Sequence, residues 1–105
     1  MIVFLQANLG LRDTPLLSAM RETHVSRASA GSEHMKIGLG WHIRIADDGG
    51  KIHWHNGGTG GYRCFAGFVQ NPPMGAVVLT NSAGAGDDDI GFHLLNDSLP
   101  LAPSP

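Results

Sequence analysis

The first apolar residues of the chain recur at the spacing of an α-helix. Ile2, Leu5 and Leu9 lie three and four positions apart, and Gly10 follows them as a residue suited to end a helix. The pattern therefore predicts a short helix over residues 1–9.

A second helix is predicted a few residues later. Thr14 and Pro15 are typical of a helix start, because a capping hydroxyl precedes a proline at the first helical position. The helix is expected to run to about Thr23. The stretch from 26 to 33 is rich in Ser, Ala and Gly and has no hydrophobic period, so it is predicted to be a loop.

The hydrophobic period changes to two in the middle of the chain. Apolar side chains alternate with Gly, His and Arg from Ile37 to Ile45, which predicts one strand. Residues 47–50 form a hairpin-turn sequence, and a second strand follows.

Trp41 and Trp54 are expected to anchor the core. The second strand is predicted to direct Ile52 and Trp54 inward and to carry Lys51, His53 and His55 on its opposite face.

Two further strands and a helix complete the pattern. Residues 62–69 and 76–80 are predicted strands, and the prolines between them mark a turn. Asp87, Asp88 and Asp89 place negative charge at the start of a final helix. The order of two helices, three or four antiparallel strands and a last helix predicts an α+β fold.

Composition and charge exclude some classes of partner. Seven Lys and Arg against nine Asp and Glu give a net charge of -2, and no basic stripe could follow a phosphate backbone, so we expect no nucleic-acid partner. No apolar run approaches the roughly 20 residues that span a bilayer, so no transmembrane segment is expected. The first residues show no export signal, which leaves the localisation undecided.

Residues 1–105 suffice for one domain, and the proline-containing tail at 100–105 is expected to fray.

Three histidines form a candidate zinc site. His53 and His55 project from one face of a predicted strand, and His42 lies across the hairpin as a possible third ligand. Since no carboxylate is adjacent and there is no second cysteine, we predict no metal and no other cofactor, and zinc binding stays an alternative.

Cys64 lies in an apolar strand and is expected to be a small buried hydrophobe.

A longer motif begins at His55. The chain reads HNGGTGGYRCFAGF from His55 and GAVVLTN from Gly75. This resembles the third active-site box of class C β-lactamases and of related, penicillin-binding-protein-like esterases and peptidases, which usually reads Lys-Thr-Gly, a small residue, then Thr-Gly-Gly and an aromatic. Upstream, GLGW from Gly38 and FLQANLG from Phe4 resemble the preceding strand and an earlier helix of that family. The resemblance covers nearly the whole chain and implies the C-terminal part of the β-lactamase/transpeptidase-like fold.

The resemblance implies a strand that lines a small-molecule or peptide substrate, formed by His55, Asn56, Gly57, Gly58 and Thr59. Glycine there lets a substrate lie along the backbone as an added strand. The backbone N–H of Gly58 maps to an oxyanion-hole donor, which can stabilise the tetrahedral intermediate by about 3 kcal/mol. His55 stands where the family has lysine, and Asn56 where it has threonine. Because histidine is mostly neutral at pH 7 whereas lysine is a fixed cation, His55 favours an esterase or peptidase over a dedicated β-lactamase.

Two elements of the family are absent from the sequence. No serine is followed by lysine three residues later, so the Ser-x-x-Lys nucleophile and base are missing. Tyr62, the only tyrosine, is followed by Arg63 and Cys64 rather than by the Tyr-x-Asn pattern. The resemblance therefore implies a partial serine hydrolase domain that is inactive by itself. A non-catalytic module that binds a peptide remains an alternative.

The resemblance also carries expectations about partners and location. In the full family the sheet is covered on both faces, so this chain should expose apolar sheet surface or an unpaired edge, and we expect it to form a homo-oligomer through that surface. Members of the family are often periplasmic or secreted.

Overall fold

The computed structural model describes residues 1–81 and 87–99. These residues form three helices and one six-stranded antiparallel sheet, which confirms the predicted α+β class. Along the chain the elements are α1 (Ile2–Asn8), α2 (Leu17–Thr23), β1 (Ala28–Ser32), β2 (Met35–Ile37), β3 (His42–Ile45), β4 (Lys51–Thr59), β5 (Tyr62–Gln70), β6 (Pro73–Thr80) and α3 (Asp87–Leu95). The tail at 100–105, which was expected to fray, lies outside the described residues.

The sheet of the described chain has six strands where the sequence predicts three or four. The strands pair in chain order from β1 to β6, each antiparallel to the next. The predicted loop at 26–33 contains β1, in which Ala28 pairs with Ile37 and Ser29 with Lys36. Its residues carry no hydrophobic pattern because β1 is an edge strand with little burial, and backbone pairing does not require one.

The single strand predicted from 37 to 45 is two strands, β2 and β3. The alternation is interrupted at Gly40, which has a φ of 78°. The N–H of Gly38 bonds to the carbonyl of Trp41 at 2.8 Å, so the chain reverses between the two strands. A left-handed glycine therefore breaks a pattern that is regular in its side chains.

One face of the sheet packs against α3. Its core cluster consists of Ile52, Trp54, Phe65, Ala76, Phe92 and Leu95. The Phe65 and Phe92 rings meet edge to face at 5.3 Å. A Cβ at Gly91 would collide with the Phe65 ring, so glycine lets α3 approach the sheet closely at this point. The same face carries Arg44, whose guanidinium lies 4.5 Å from the centre of the Phe92 ring.

The opposite face packs against α1. Its buried cluster is Leu5, Leu9, Trp41 and Phe68, with Val77 at its margin. Trp41 and Trp54 are 8% and 9% exposed, so their predicted role as core anchors is confirmed. The face predicted to carry Lys51, His53 and His55 is opposite to that of Ile52, and His53 is buried there.

The helices of the described residues leave part of this second face uncovered. Gly57 pairs with Cys64, and Cys64 pairs with Leu79, which places the three residues in one row across the sheet. Cys64 is exposed and Leu79 is 78% exposed. The prediction of a buried Cys64 is therefore wrong, because among the described residues no helix packs over this row. None of the described helices has the length and hydropathy required to cross a bilayer.

Candidate functional site

The segment that resembles the third box lies at an unpaired edge. β3 pairs with β4 only as far as His42 opposite Trp54, whereas β5 pairs with β4 from His53 to Thr59. In the part of the chain that the structure describes, residues 55–59 are thus paired on one side only. Because peptide groups of a strand point alternately to its two sides, some of those in this segment are open to an added strand or substrate.

His55 is exposed at the point where β3 leaves β4. Its Nδ1 donates to the backbone carbonyl of Asn56 at 2.6 Å. Since a carbonyl oxygen only accepts, Nδ1 carries the proton, and in the neutral ring Nε2 is left as an acceptor. The ring of His42 lies 5.1 Å from that of His55 and 5.0 Å from that of Trp54.

Asn56 is oriented to the other side of the sheet. Its Nδ2 donates to Oδ2 of Asp88 at 2.7 Å, so its side chain contacts the first turn of α3. Successive residues of a strand face opposite sides, which separates this amide from the side chain of His55. Asn56 therefore contributes only its backbone to the open edge, and its side chain holds β4 against α3.

The glycines of the motif fall into two groups. Gly60 and Gly61 have φ values of 57° and 88° and form the two-residue turn between β4 and β5, a conformation that glycine adopts most readily. Gly57 and Gly58 lie in the strand and have no positive φ. A Cβ would lie 3.4 Å from Cys64 Sγ at the first position, and 3.5 Å from the nearest atom, the Tyr62 carbonyl oxygen, at the second. The fold would therefore accept alanine at either position, and its packing gives no reason for glycine there.

Thr59 ends the strand, and its backbone pairs with Tyr62 just before the turn. Of the five residues predicted to line a substrate, the structure thus places all five in β4. It places the His55 side chain on one face and the side chain of Asn56 on the other.

An apolar groove opens beside His55. It has a volume of about 470 Å³ and lies between α1, α2 and the sheet, with Phe4, Leu16, Met20, Trp41, His55 and Ala66 among its lining residues. No Asp, Glu, Lys or Arg side chain belongs to the described lining of this groove. A larger cavity of about 740 Å³ lies at the other end of β4, near Asp48 and Asp97, away from His55.

A polar cluster lies behind the groove, in which Asn8 and His53 are buried and His24 is half-buried. His24, directly after α2, has its Nε2 2.8 Å from Asn8 Oδ1. The Asn8 amide is oriented by its own bond from Nδ2 to the Phe4 carbonyl, so Oδ1 is the acceptor and His24 Nε2 the donor. The Nε2 of His53 in turn donates to the carbonyl of His24 at 2.9 Å. The cluster joins α1, the end of α2 and β4.

Burial changes the acid–base properties of this cluster. It lowers the pKa of His24 to about 4, with smaller contributions from the neighbouring His53 and Arg21. Burial also lowers the pKa of His53; its hydrogen bond to the His24 carbonyl opposes this, and Lys51 adds to it. Both rings therefore favour the neutral form in the folded protein.

The three histidines of the candidate zinc site have different neighbours. His53 points toward His24, while His42 and His55 meet at the strand edge. Within residues 1–81 and 87–99, no group of three or more His, Cys, Asp or Glu side chains is placed to hold a metal ion.

Comparison with known proteins gives no match to the chain among protein-family models, curated proteins or solved structures. The assignment of a function consequently depends on the motif in β4 and on the geometry around it.

Proposed function

We propose that this chain is the C-terminal, substrate-lining part of a β-lactamase-like serine hydrolase of the esterase or peptidase type, and that it performs no hydrolysis alone. The main support is the segment 55–59. It resembles the family's third box, its outer edge is unpaired among the described residues, and two of its glycines have no folding requirement. Glycine at position 57, on the groove side of the strand, leaves room for another molecule to approach the backbone.

In this proposal the acyl group of a substrate lies along the edge of β4. The backbone N–H of Gly58 then serves as one donor to the carbonyl oxygen as negative charge develops on it. Such a donor contributes about 3 kcal/mol to the stability of a tetrahedral intermediate. Because the sequence has no Ser-x-x-Lys pair, that intermediate does not form, and a nucleophile and base must come from another segment or chain.

The surroundings of His55 favour an uncharged acyl substrate. A fixed cation at this position would attract a substrate carboxylate, but the bond from His55 Nδ1 to the Asn56 carbonyl leaves the neutral ring with an acceptor at Nε2. The adjoining groove has apolar walls and no charged side chain in its described lining. An ester or amide with an apolar acyl chain fits this combination better than an anionic β-lactam.

The catalytic part of the proposal is tested with the purified chain and two chromogenic substrates. We expect p-nitrophenyl butyrate and nitrocefin to be hydrolysed no faster than in buffer. Each serine is then replaced by alanine in turn. Hydrolysis by the unchanged chain that disappears when one of its serines is replaced would overturn the proposal.

The open edge also supports a second candidate, a module that captures a peptide strand without cleaving it. An extended peptide can add to an unpaired strand through main-chain hydrogen bonds. Isothermal titration calorimetry with a peptide ending in D-Ala-D-Ala distinguishes the peptide-binding module from the hydrolase part. Binding of the peptide and no binding of an uncharged acyl amide would favour the peptide module, and the reverse result would remove it.

A further inference from the structure

The second helix is held weakly. Within the part of the chain that the structure describes, α2 contains no buried residue. Its backbone connection to the rest of the fold lies at its C-terminal end, where the Thr23 carbonyl accepts from the N–H of Leu39 at 3.0 Å. The position of α2 therefore depends strongly on the residues that follow it, and His24 is the first of these.

His24 joins α2 to two other elements. Its ring donates to Asn8 of α1, and its carbonyl accepts from the ring of His53 in β4. The two imidazoles lie 5.2 Å apart, and both pack on Phe68 of β5, at 4.8 and 5.0 Å. We call Asn8, His24 and His53 the latch.

The hydrogen bonds of the latch are those of neutral rings, and the surroundings of His53 offer no acceptor for a second proton. A neutral imidazole has one N–H, and each ring already uses it at Nε2. A second proton would have to sit on Nδ1, and in the described structure Nδ1 of His53 is buried without a hydrogen-bond partner. A buried donor without an acceptor destabilises the folded state, and does so more strongly when it is charged.

The charges around the latch also oppose a second proton. Arg21 from α2 and Lys51 from β4 act on the pair, and both are cations. α1 and β5 place Asn8 and Phe68 next to the His24 ring, and both residues are uncharged. Protonation of both rings would moreover place two cations side by side.

We propose that the latch is acid-sensitive, and that protonation of His24 and His53 releases α2 from the sheet and opens the apolar groove beside His55. Leu16, just before α2, and Met20 within it line one side of that groove, and Trp41 lies on another. The His24 ring meets the Trp41 ring edge-on at 6.4 Å. Release of α2 together with His24 would thus change the surroundings of Trp41, while α3, on the opposite face, stays in place. The inference does not depend on the proposed hydrolase ancestry.

The acid–base properties of the pair support the latch. Burial lowers the pKa of His24 to about 4 and lowers that of His53, so protons bind to the released form in preference to the closed one. Release should therefore begin below pH 6.5, the ordinary value for histidine, and become more complete toward pH 4.

The test is a pH titration of the ¹⁵N-labelled full chain, in which the indole N–H signals of Trp41 and Trp54 are followed separately. Between pH 7 and pH 4 we expect the Trp41 signal and the amides of α2 to shift or broaden. The Trp54 signal and the amides of α3 should remain unchanged over the same range, and binding of a hydrophobic dye should rise several-fold. Simultaneous loss of both indole signals, with one midpoint, would show global unfolding and overturn the latch.

Substitutions separate the latch from other titrating groups. The double variant His24→Gln with His53→Gln keeps side-chain donors but cannot be protonated, so the change at Trp41 should disappear. His34→Gln, at an exposed histidine, is the matched control and should leave the transition unaltered. If the double variant does not fold, the pH titration of the His24 and His53 ring signals in the unchanged protein tests the proposal instead. Titration of both near pH 6.5 without any change at Trp41 would contradict the proposal.

Discussion

Asn56 in β4 and Asp88 in the first turn of α3 are joined by a hydrogen bond of 2.7 Å from Nδ2 to Oδ2. The bond attaches the third-box strand to the helix behind it, on the face away from the groove. It gives Asn56 a structural role at the position where the family resemblance implies a substrate-lining threonine.

We predict that Asn56→Ala lowers the free energy of unfolding by about 1–3 kcal/mol, because the partly buried Asp88 carboxyl group loses its hydrogen bond from Asn56. Urea denaturation of Asn56→Ala, Asp88→Ala and the double variant measures the coupling between the two side chains. If the costs of the two single changes simply add, the bond makes no contribution of its own.

The close approach of α3 to Phe65 gives a second prediction. Gly91→Ala should destabilise the protein by about 1–3 kcal/mol, because the new methyl group collides with the ring. Helix propensity alone predicts the opposite sign, by about 1 kcal/mol. Gly58→Ala, where a Cβ meets only ordinary contacts, is the control and should leave the urea midpoint nearly unchanged. A more stable Gly91→Ala protein would contradict the packing of α3.

Stability should depend on pH through the latch. The pKa of His24 is about 4 in the folded chain against an ordinary value of 6.5, so the unfolded chain binds more protons between these limits. The contribution of His24 to stability is therefore complete above pH 6.5 and decreases as the pH falls toward 4. Urea midpoints measured at pH 7 and pH 5 should differ, and the difference should shrink in the His24→Gln, His53→Gln variant. A midpoint that rises on acidification would reverse the sign we expect.

The uncovered row on the second face should cause self-association. Leu79 is 78% exposed beside the exposed Cys64, and their row has no covering helix among the described residues. Size exclusion with light scattering, under reducing conditions, should report a mass above 11.1 kDa at micromolar concentration. Leu79→Lys should restore the monomer, whereas Leu11→Lys, at a leucine 60% exposed elsewhere, should not. A monomer at all concentrations would argue against the expected homo-oligomer.

Hydrophobic periods predicted the helices and most of the sheet, because the buried faces of α1, β4 and β5 follow the geometry of their elements. β1 has no such period, because its sequence of Ala, Ser and Gly has no apolar side. The alternation also runs on through β2 and β3 as if they were one strand, since only the backbone at Gly40 departs from it.

The candidate site was predicted at the level of its strand but not of its surroundings. The motif from His55 to Thr59 indicated β4, while the unpaired edge depends on where β3 ends. The latch was missed because Asn8 and His24 lie far apart in sequence. One signal was available: Asn8 sits between the apolar residues of α1, and a buried amide requires a hydrogen-bond partner.

The substrate-lining role of β4 is tested most directly by locating where an uncharged acyl amide binds. The amide is butyranilide, and its binding site is mapped by amide chemical shifts in the ¹⁵N-labelled chain. We predict shifts concentrated at residues 55–59 and at the Trp41 indole. Gly57→Ala, which adds a methyl group on the groove side, should weaken binding severalfold. Gly58→Ala, with its methyl group on the α3 side, should not. Shifts centred on the outer edge of β6, or equal weakening by both alanines, would contradict a substrate-lining role for β4.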